Sequence, residues 1–175
     1  MKQKIGIIYA TVDGHTLKIS KALIAELENL GAQVSLFSID DFEAEIGDFD
    51  KFVVGSSIRY GVHHAKIIDF INNNKSKLDA VKTAFFSVNL VARKPEKNTA
   101  ETNPYVVKFF KSIDWKPTVV GVFAGMLDYA KYKFFDRIMI QFIMWITKGP
   151  TNRDAVIEYT NWDKVKNFAR QINDL

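Results

Sequence analysis

Lys4-Ile-Gly-Ile-Ile-Tyr-Ala-Thr-Val-Asp-Gly-His-Thr16 is the stretch on which the reading of the chain turns. It opens with an apolar run, Ile5 to Tyr9, of the length and composition of a buried strand. It then passes through small, polar and glycine residues into a helical pattern. A strand, a Thr/Gly turn and a helix N-terminus together make an anion cradle. The first helical turn leaves N–H groups without helical partners, the helix dipole favours negative charge there, and hydroxyls add donors. The turn is not a Walker loop, because no lysine follows the glycine at that spacing, and it is not G-x-G-x-x-G. An ordinary strand-to-helix turn with an N-cap remains the alternative for this stretch taken alone.

Composition sets the frame. The 175 residues are 47% hydrophobic and 25% charged, the balance of a folded globular chain, and one domain spanning 1–175 is expected. There are no cysteines, which excludes disulfides, thiolate metal sites, iron–sulfur clusters and cysteine nucleophiles. The N-terminus enters a strand without an apolar signal region or cleavage site, so no secretory signal is expected. No stretch approaches the roughly 20 apolar residues that span a bilayer. The net charge of +4 is uneven. Residues 1–92 hold 10 Lys/Arg against 11 Asp/Glu, whereas residues 93–175 hold 14 against 9. A basic half suits nucleic acid, anionic lipid or an anionic small molecule, and equally a solvated surface.

Outward from the opening stretch, strands and helices alternate. Ile19, Leu23, Leu27 and Leu30 fall at helical spacing and Gly31 closes that helix. Val34–Ile39 and Lys51–Gly55 read as the second and third strands, and His63 to Leu78 as a helix. Thr83–Val88 is a fourth strand, and Asn89 to Thr102 a long polar turn. A helix follows from Pro104, then a fifth strand, Pro117–Ala124, and a last helix from about Trp162 to Ile172. This is an α/β doubly wound parallel sheet of five strands, expected in the order 2-1-3-4-5. In such sheets ligands bind outside the strand C-termini at the switch point. Three loops meet there: Thr11–Thr16, Ser56–Gly61 and Ser87–Ala92.

The candidate binding residues follow. Thr11, Val12, Asp13, Gly14, His15 and Thr16 form the anion loop. Gly14 permits positive φ or close backbone approach, Thr16 caps the helix or donates a hydroxyl, and His15 is a further donor. Asp13 sits awkwardly beside an anion and is expected to bond turn amides or face solvent. Ser57, Ile58, Arg59, Tyr60 and Gly61 lie where a planar ring would sit, with Tyr60 able to stack and Arg59 to hold an anionic group. Ser87, Val88, Asn89 and Leu90 would supply backbone and amide hydrogen bonds to the ring edge. Gly125, just past the fifth strand, is counted with them. His63 and His64 are adjacent and share no helix face, so at most one faces the site. No Ser/His/Asp order, paired-carboxylate motif or metal-binding histidine spacing occurs, so hydrolase and metalloenzyme readings lack support.

One segment exceeds the five-strand plan: an insertion at about 126–152. On a helical wheel over 131–148, Phe134, Phe135, Ile138, Met139, Phe142, Trp145 and Ile146 cluster on one side. Lys133, Asp136, Arg137, Gln141 and Lys148 occupy the other, with Ile140 and Met144 intruding among them. Basic flanks, a tryptophan and a broad apolar face suit a helix in a membrane interface or beside an apolar ligand. A helix packed on the sheet with its apolar side inward is the alternative.

With these stretches read, a resemblance can be stated. Gly55-Ser-Ser-Ile-Arg-Tyr-Gly61, Phe86-Ser-Val-Asn-Leu-Val-Ala-Arg-Lys-Pro-Glu-Lys97, Tyr129-x-x-Tyr-x-x-Phe-Asp-Arg-x-Met-Ile140 and Tyr159-Thr-x-Trp162 resemble the flavodoxin-like, menaquinone-dependent protoporphyrinogen IX dehydrogenases of bacterial haem synthesis. Thr11-x-x-Gly14-x-Thr16 is similar to the phosphate loop of flavodoxins, with Asp13 and His15 where Thr and Asn are usual; the Asp agrees with the dehydrogenases. The resemblance implies a flavodoxin-like fold and bound FMN. It implies removal of six electrons from protoporphyrinogen IX in three two-electron cycles, with menaquinone or another quinone as acceptor. It further implies peripheral contact with the cytoplasmic face of the bacterial inner membrane and no nucleic-acid partner; homo-oligomerisation stays open. Arg93, Lys94, Lys97, Lys131, Lys133 and Arg137 are candidates, by charge, for the substrate propionates or anionic lipid. A flavodoxin-type electron carrier and an NAD(P)H:quinone reductase of the same fold remain as alternatives. The basic charge and the extra apolar helix speak against the carrier.

Overall fold

The computed structural model describes residues 2–175. Its strands are β1 (Lys4–Ala10), β2 (Gln33–Ser38), β3 (Lys51–Arg59), β4 (Val62–His63), β5 (Lys82–Val88), β6 (Val119–Phe123), β7 (Met126–Asp128) and β8 (Val156–Glu158). Its helices are α1 (His15–Asn29), α2 (Ala65–Asn73), α3 (Lys75–Asp79), α4 (Pro104–Ser112), α5 (Phe134–Ile146) and α6 (Trp162–Asn173). The parallel strands run in the order β2-β1-β3-β5-β6, which is 2-1-3-4-5 once the two-residue β4 is set aside. β1 pairs with β2 from Lys4 opposite Gln33 and with β3 from Ile5 opposite Lys51.

The apolar strand runs are buried on both faces, as parallel sheets require. On one face Ile5, Ile7, Val53 and Phe86 pack with Ile19, Leu23 and Leu27 of α1 and with Val165, Phe168 and Ile172 of α6. On the other, Ile8, Phe52, Val54 and Phe85 meet Ile67, Phe70 and Ile71 of α2 and Phe109 of α4. The sheet therefore sits between two helical layers, with the C-terminal ends of β1, β3 and β5 opening on the same edge.

The structure departs from the sequence reading in four places. β3 continues to Arg59 and turns back into β4, so Ser56–Arg59 is strand and His63 is no longer helical. The turn uses Tyr60 (φ 52) and Gly61 (φ 78), both left-handed, the pattern of a two-residue hairpin whose twist matches its strands. The helix expected over 63–78 breaks at Asn74 into α2 and α3. The insertion is closed at its base by the antiparallel pair β7–β8, which joins residues about 30 apart in sequence. Its own small core holds Leu127, Tyr129, Tyr132 and Met144, and α5 begins at Phe134, three residues later than expected.

Candidate functional site

The loops after β1, β3 and β5 and one side of α5 enclose a single cavity of about 490 Å³. The β1–α1 loop forms one end. Gly14 takes φ 82, and its N–H donates to Thr11 Oγ1 at 3.0 Å, so the loop is set by its own hydroxyl. No side chain caps α1 and its first turn carries no acidic residue. The N–H groups at the start of α1 therefore keep their capacity for an anion. Thr16 Oγ1 lies on this wall, fully buried and without a hydrogen-bond partner. Ser57 Oγ, on the adjoining wall, is in the same condition. Two buried hydroxyls with nothing to bond are costly unless a ligand engages them.

Thr11, Asp13, His15, Thr16, Ser57, Ile58, Arg59, Tyr60, Gly61, Val88, Asn89, Leu90 and Gly125 all line the cavity. Val12, Gly14 and Ser87 do not. Val12 is exposed, Gly14 acts through its backbone, and Ser87 is turned inward. Ser87 Oγ is 2.9 Å from His63 Nε2 and accepts from Asn89 Nδ2 at 3.1 Å. Asn89 Oδ1 in turn accepts from Ala92 N at 3.1 Å and Asn103 Nδ2 at 3.0 Å. The Ser87 and Asn89 side chains thus tie this loop together, with Ser87 behind the cavity wall and Asn89 on it.

His15 departs from its expected role. His15 Nε2 lies 2.6 Å from Thr160 Oγ1, whose own hydrogen goes to Ala124 O at 2.9 Å. The imidazole must donate to Thr160, so that donor is not available to an anion in the loop. Burial holds the His15 pKa below its ordinary value, against the pull of Glu158. Asp13 bonds no turn amide and is exposed to solvent, the second of its two expected placements. It stands 3.7 Å from Arg59 Nη2, and partial burial raises its pKa, opposed by the Arg59 charge.

Asp136, read from sequence as a solvated residue of α5, is a missed member of the site. It is buried, its Oδ2 is 3.1 Å from Arg59 Nη2, and it accepts the Tyr60 hydroxyl hydrogen. Arg59 and Tyr60 therefore fasten the first turn of α5 over the β3 end of the cavity. Beyond it Met139, Ile140, Ile143 and Met144 supply an apolar wall, and Tyr105 of α4 and Tyr132 complete it. Ile140 and Met144, which seemed misplaced on a polar side, share the cavity face with Asp136. The side expected to be the main apolar face is largely exposed: Phe134 68%, Phe135 81%, Phe142 57% and Trp145 69%. The helix is apolar on two sides because one lines the cavity and the other faces outward.

Of the six basic candidates, Arg93 alone lines the cavity. Lys131 Nζ is 3.6 Å from Asp128 Oδ2, and Arg137 Nη2 donates to Tyr132 O at 3.3 Å. Lys133 is exposed just before α5, and Lys94 and Lys97 lie off the cavity wall.

A family model described as a flavodoxin domain matches residues 6–154. The chain is 41% identical over 170 residues to the protoporphyrinogen IX dehydrogenase [quinone] of Escherichia coli K12, covering 97% of this chain and 94% of that one. It is 44% identical over 165 residues to the protein of the same name from Leishmania major, covering 93% and 71% respectively. Among solved structures, a short-chain flavodoxin associated with a bacterial microcompartment superposes with a TM-score of 0.57 at 15% identity, covering 98% of this chain and 97% of that one. That degree of identity speaks to fold alone.

Proposed function

Since the chain belongs to the quinone-linked protoporphyrinogen IX dehydrogenases and carries a flavodoxin domain, we propose that it oxidises protoporphyrinogen IX to protoporphyrin IX with FMN as cofactor and menaquinone as acceptor. The observation that carries this reading is the joining, in one cavity, of an anion cradle at α1 to the apolar wall of α5. A flavodoxin-type carrier has no use for such a wall, whereas an apolar tetrapyrrole and a quinone both require one.

The residues present fit FMN. The uncapped start of α1, the Thr11 hydroxyl and the unpartnered Thr16 Oγ1 would hold the phosphate. Ser57–Gly61 and the backbone of 88–90 would flank the ring, and Ser57 Oγ is a free donor there. Bound FMN supplies two-electron redox chemistry, used three times for each six-electron oxidation. The protein's part is to bind, orient and shield, so no acid/base constellation is needed.

The outer face of α5 is the surface that meets the membrane from which quinone comes. Phe134, Phe135, Phe142 and Trp145 would enter the interface, while Lys131 and Lys133 face anionic headgroups. Among the described residues no helix is long and apolar enough to cross a membrane. The face of the bilayer concerned is the cytoplasmic side of the inner membrane.

Thr16→Val tests the cradle. Loss of a hydroxyl that bonds a phosphate is expected to weaken FMN binding by about 10- to 100-fold. Riboflavin, which has no phosphate, should bind both proteins alike. Equal loss for FMN and riboflavin in fluorescence titrations would remove Thr16 from the phosphate site. The reaction itself is tested by anaerobic mixing of the FMN-loaded protein with protoporphyrinogen IX while flavin absorbance is followed. Bleaching by the substrate and recovery on adding a menaquinone analogue are expected. No bleaching, or rapid bleaching by NAD(P)H instead, would overturn the reading in favour of a carrier or an NAD(P)H:quinone reductase.

A further inference from the structure

Resting on that reading, we propose that Arg93 anchors a carboxylate of the substrate and so separates the tetrapyrrole from the quinone within their shared cavity. Arg93 is on the cavity wall, yet its two outer contacts are to neutral acceptors: Nη1 donates to Leu90 O at 3.0 Å and Nη2 to Thr147 Oγ1 at 2.6 Å. Among the described residues no carboxylate lies within ion-pair distance of it. Arg59, the other cavity arginine, is in the opposite condition, with Asp136 at 3.1 Å and Asp13 at 3.7 Å.

The surroundings make this difference consequential. Leu90, Val91, Ile140, Ile143 and Met144 share the wall with Arg93, so its charge stands beside apolar surface. A cation there is poorly compensated and gains more from an anionic ligand than one in water would. The guanidinium fork is also pre-aimed. Leu90 O holds it from its own loop, and that loop is fixed by Asn89, whose side chain accepts from Ala92 N and Asn103 Nδ2. Thr147, at the C-terminal end of α5, is itself held, donating to Ile143 O at 2.7 Å. Two elements thus position one guanidinium, the group best shaped to grip a carboxylate with paired N–H donors.

The chemistry of the two reactants then separates them. Protoporphyrinogen IX has an apolar body and two propionates. Its body suits the α5 wall, and one propionate suits Arg93. A quinone has no carboxylate and gains nothing from the charge.

The test uses the FMN-loaded protein, protoporphyrin IX and its dimethyl ester. Wild type is expected to bind the diacid about 10- to 100-fold more tightly than the ester by porphyrin fluorescence, the range of a hydrogen-bonded charge pair. Arg93→Gln should abolish that preference and raise KM for protoporphyrinogen by a similar factor, with the quinone KM unchanged. Arg93→Lys should keep part of it, since charge persists and the fork is lost. Thr147→Val keeps the charge and removes one tie, so it should retain most of the preference. Equal binding of diacid and ester by wild type, or a preference that survives in Arg93→Gln, overturns the proposal. If wild type selects the diacid in binding yet protoporphyrinogen fails to bleach the flavin, the anchor stands and the dehydrogenase reading falls.

Discussion

Replacing Phe135, Phe142 and Trp145 together by serine is expected to lower partition onto anionic vesicles by at least about 100-fold. The three side chains are among the most exposed large apolar groups on the protein, and Phe142 stacks on Trp145 at 6.2 Å between ring centroids to make one continuous patch. Full burial of one such side chain is worth about 1.5–3 kcal/mol, and less at an interface where burial is partial. Even about 1 kcal/mol from each of three groups gives more than a hundredfold in affinity. Lys131 and Lys133 add an electrostatic share of about 1 kcal/mol each near an anionic surface, and that share is screened by salt. Lys131→Gln/Lys133→Gln should therefore weaken binding mainly at low salt, whereas the triple serine variant should fail at all salt concentrations. None of the three aromatic residues lines the cavity, so FMN affinity should not change. Unchanged sedimentation with vesicles of phosphatidylglycerol and phosphatidylethanolamine would remove the membrane from the account of α5.

The helix also shows where sequence reading reaches its limit. A helical wheel sorts residues by polarity and assumes one apolar side and one interior. In α5 the apolar side is the outside, and Asp136, which polarity assigns to solvent, is buried against Arg59 and Tyr60. The signal was present in Ile140 and Met144, four and eight residues after Asp136, where an ordinary surface helix would be polar. The β1–α1 loop was legible for the opposite reason. Its geometry is local: Gly14 in the left-handed region, Thr11 bonding three residues ahead, and a helix that starts at once. The sheet was legible because buried parallel strands are short apolar runs, and these recur between helices. The pairings β3–β4 and β7–β8 were missed because β4, β7 and β8 are only two or three residues long. Such strands leave no alternating pattern to read. The inward turn of Ser87 rests on His63, 24 residues away in the chain, so nothing near it in sequence announces that its side chain leaves the cavity.

His63 is expected to make the native protein lose about 3 kcal/mol of stability between pH 6.5 and pH 4. The ring is 3% exposed and packs 4.4 Å from Phe109 and 5.5 Å from Phe85, centroid to centroid. Its Nε2 faces Ser87 Oγ at 2.9 Å. Ser87 Oγ also accepts from Asn89 Nδ2 at 3.1 Å, so the ring is held by a neutral partner with no carboxylate to stabilise a charge on it. Protonation would place a charge among aromatic rings in a site shut off from water. Burial accordingly pushes the pKa down to about 4 from 6.5. The sign follows from proton counting. Above pH 6.5 neither state binds the proton and His63 contributes no pH dependence. Between 6.5 and 4 the unfolded chain takes it up and the native state does not, so stability falls as pH falls, by about 1.4 kcal/mol per unit. Below pH 4 both states are protonated and the deficit stops growing. His15, whose pKa is also lowered, acts in the same direction, so the measurement must be a difference. In urea denaturation from pH 7.5 to pH 4, the stability of wild type minus that of His63→Gln should fall by about 3 kcal/mol. Glutamine keeps a group able to accept from Ser87 and has nothing to titrate. Two curves that stay parallel across that range would mean that the imidazole takes its proton in the folded protein at its ordinary pKa, and that burial does not hold it neutral.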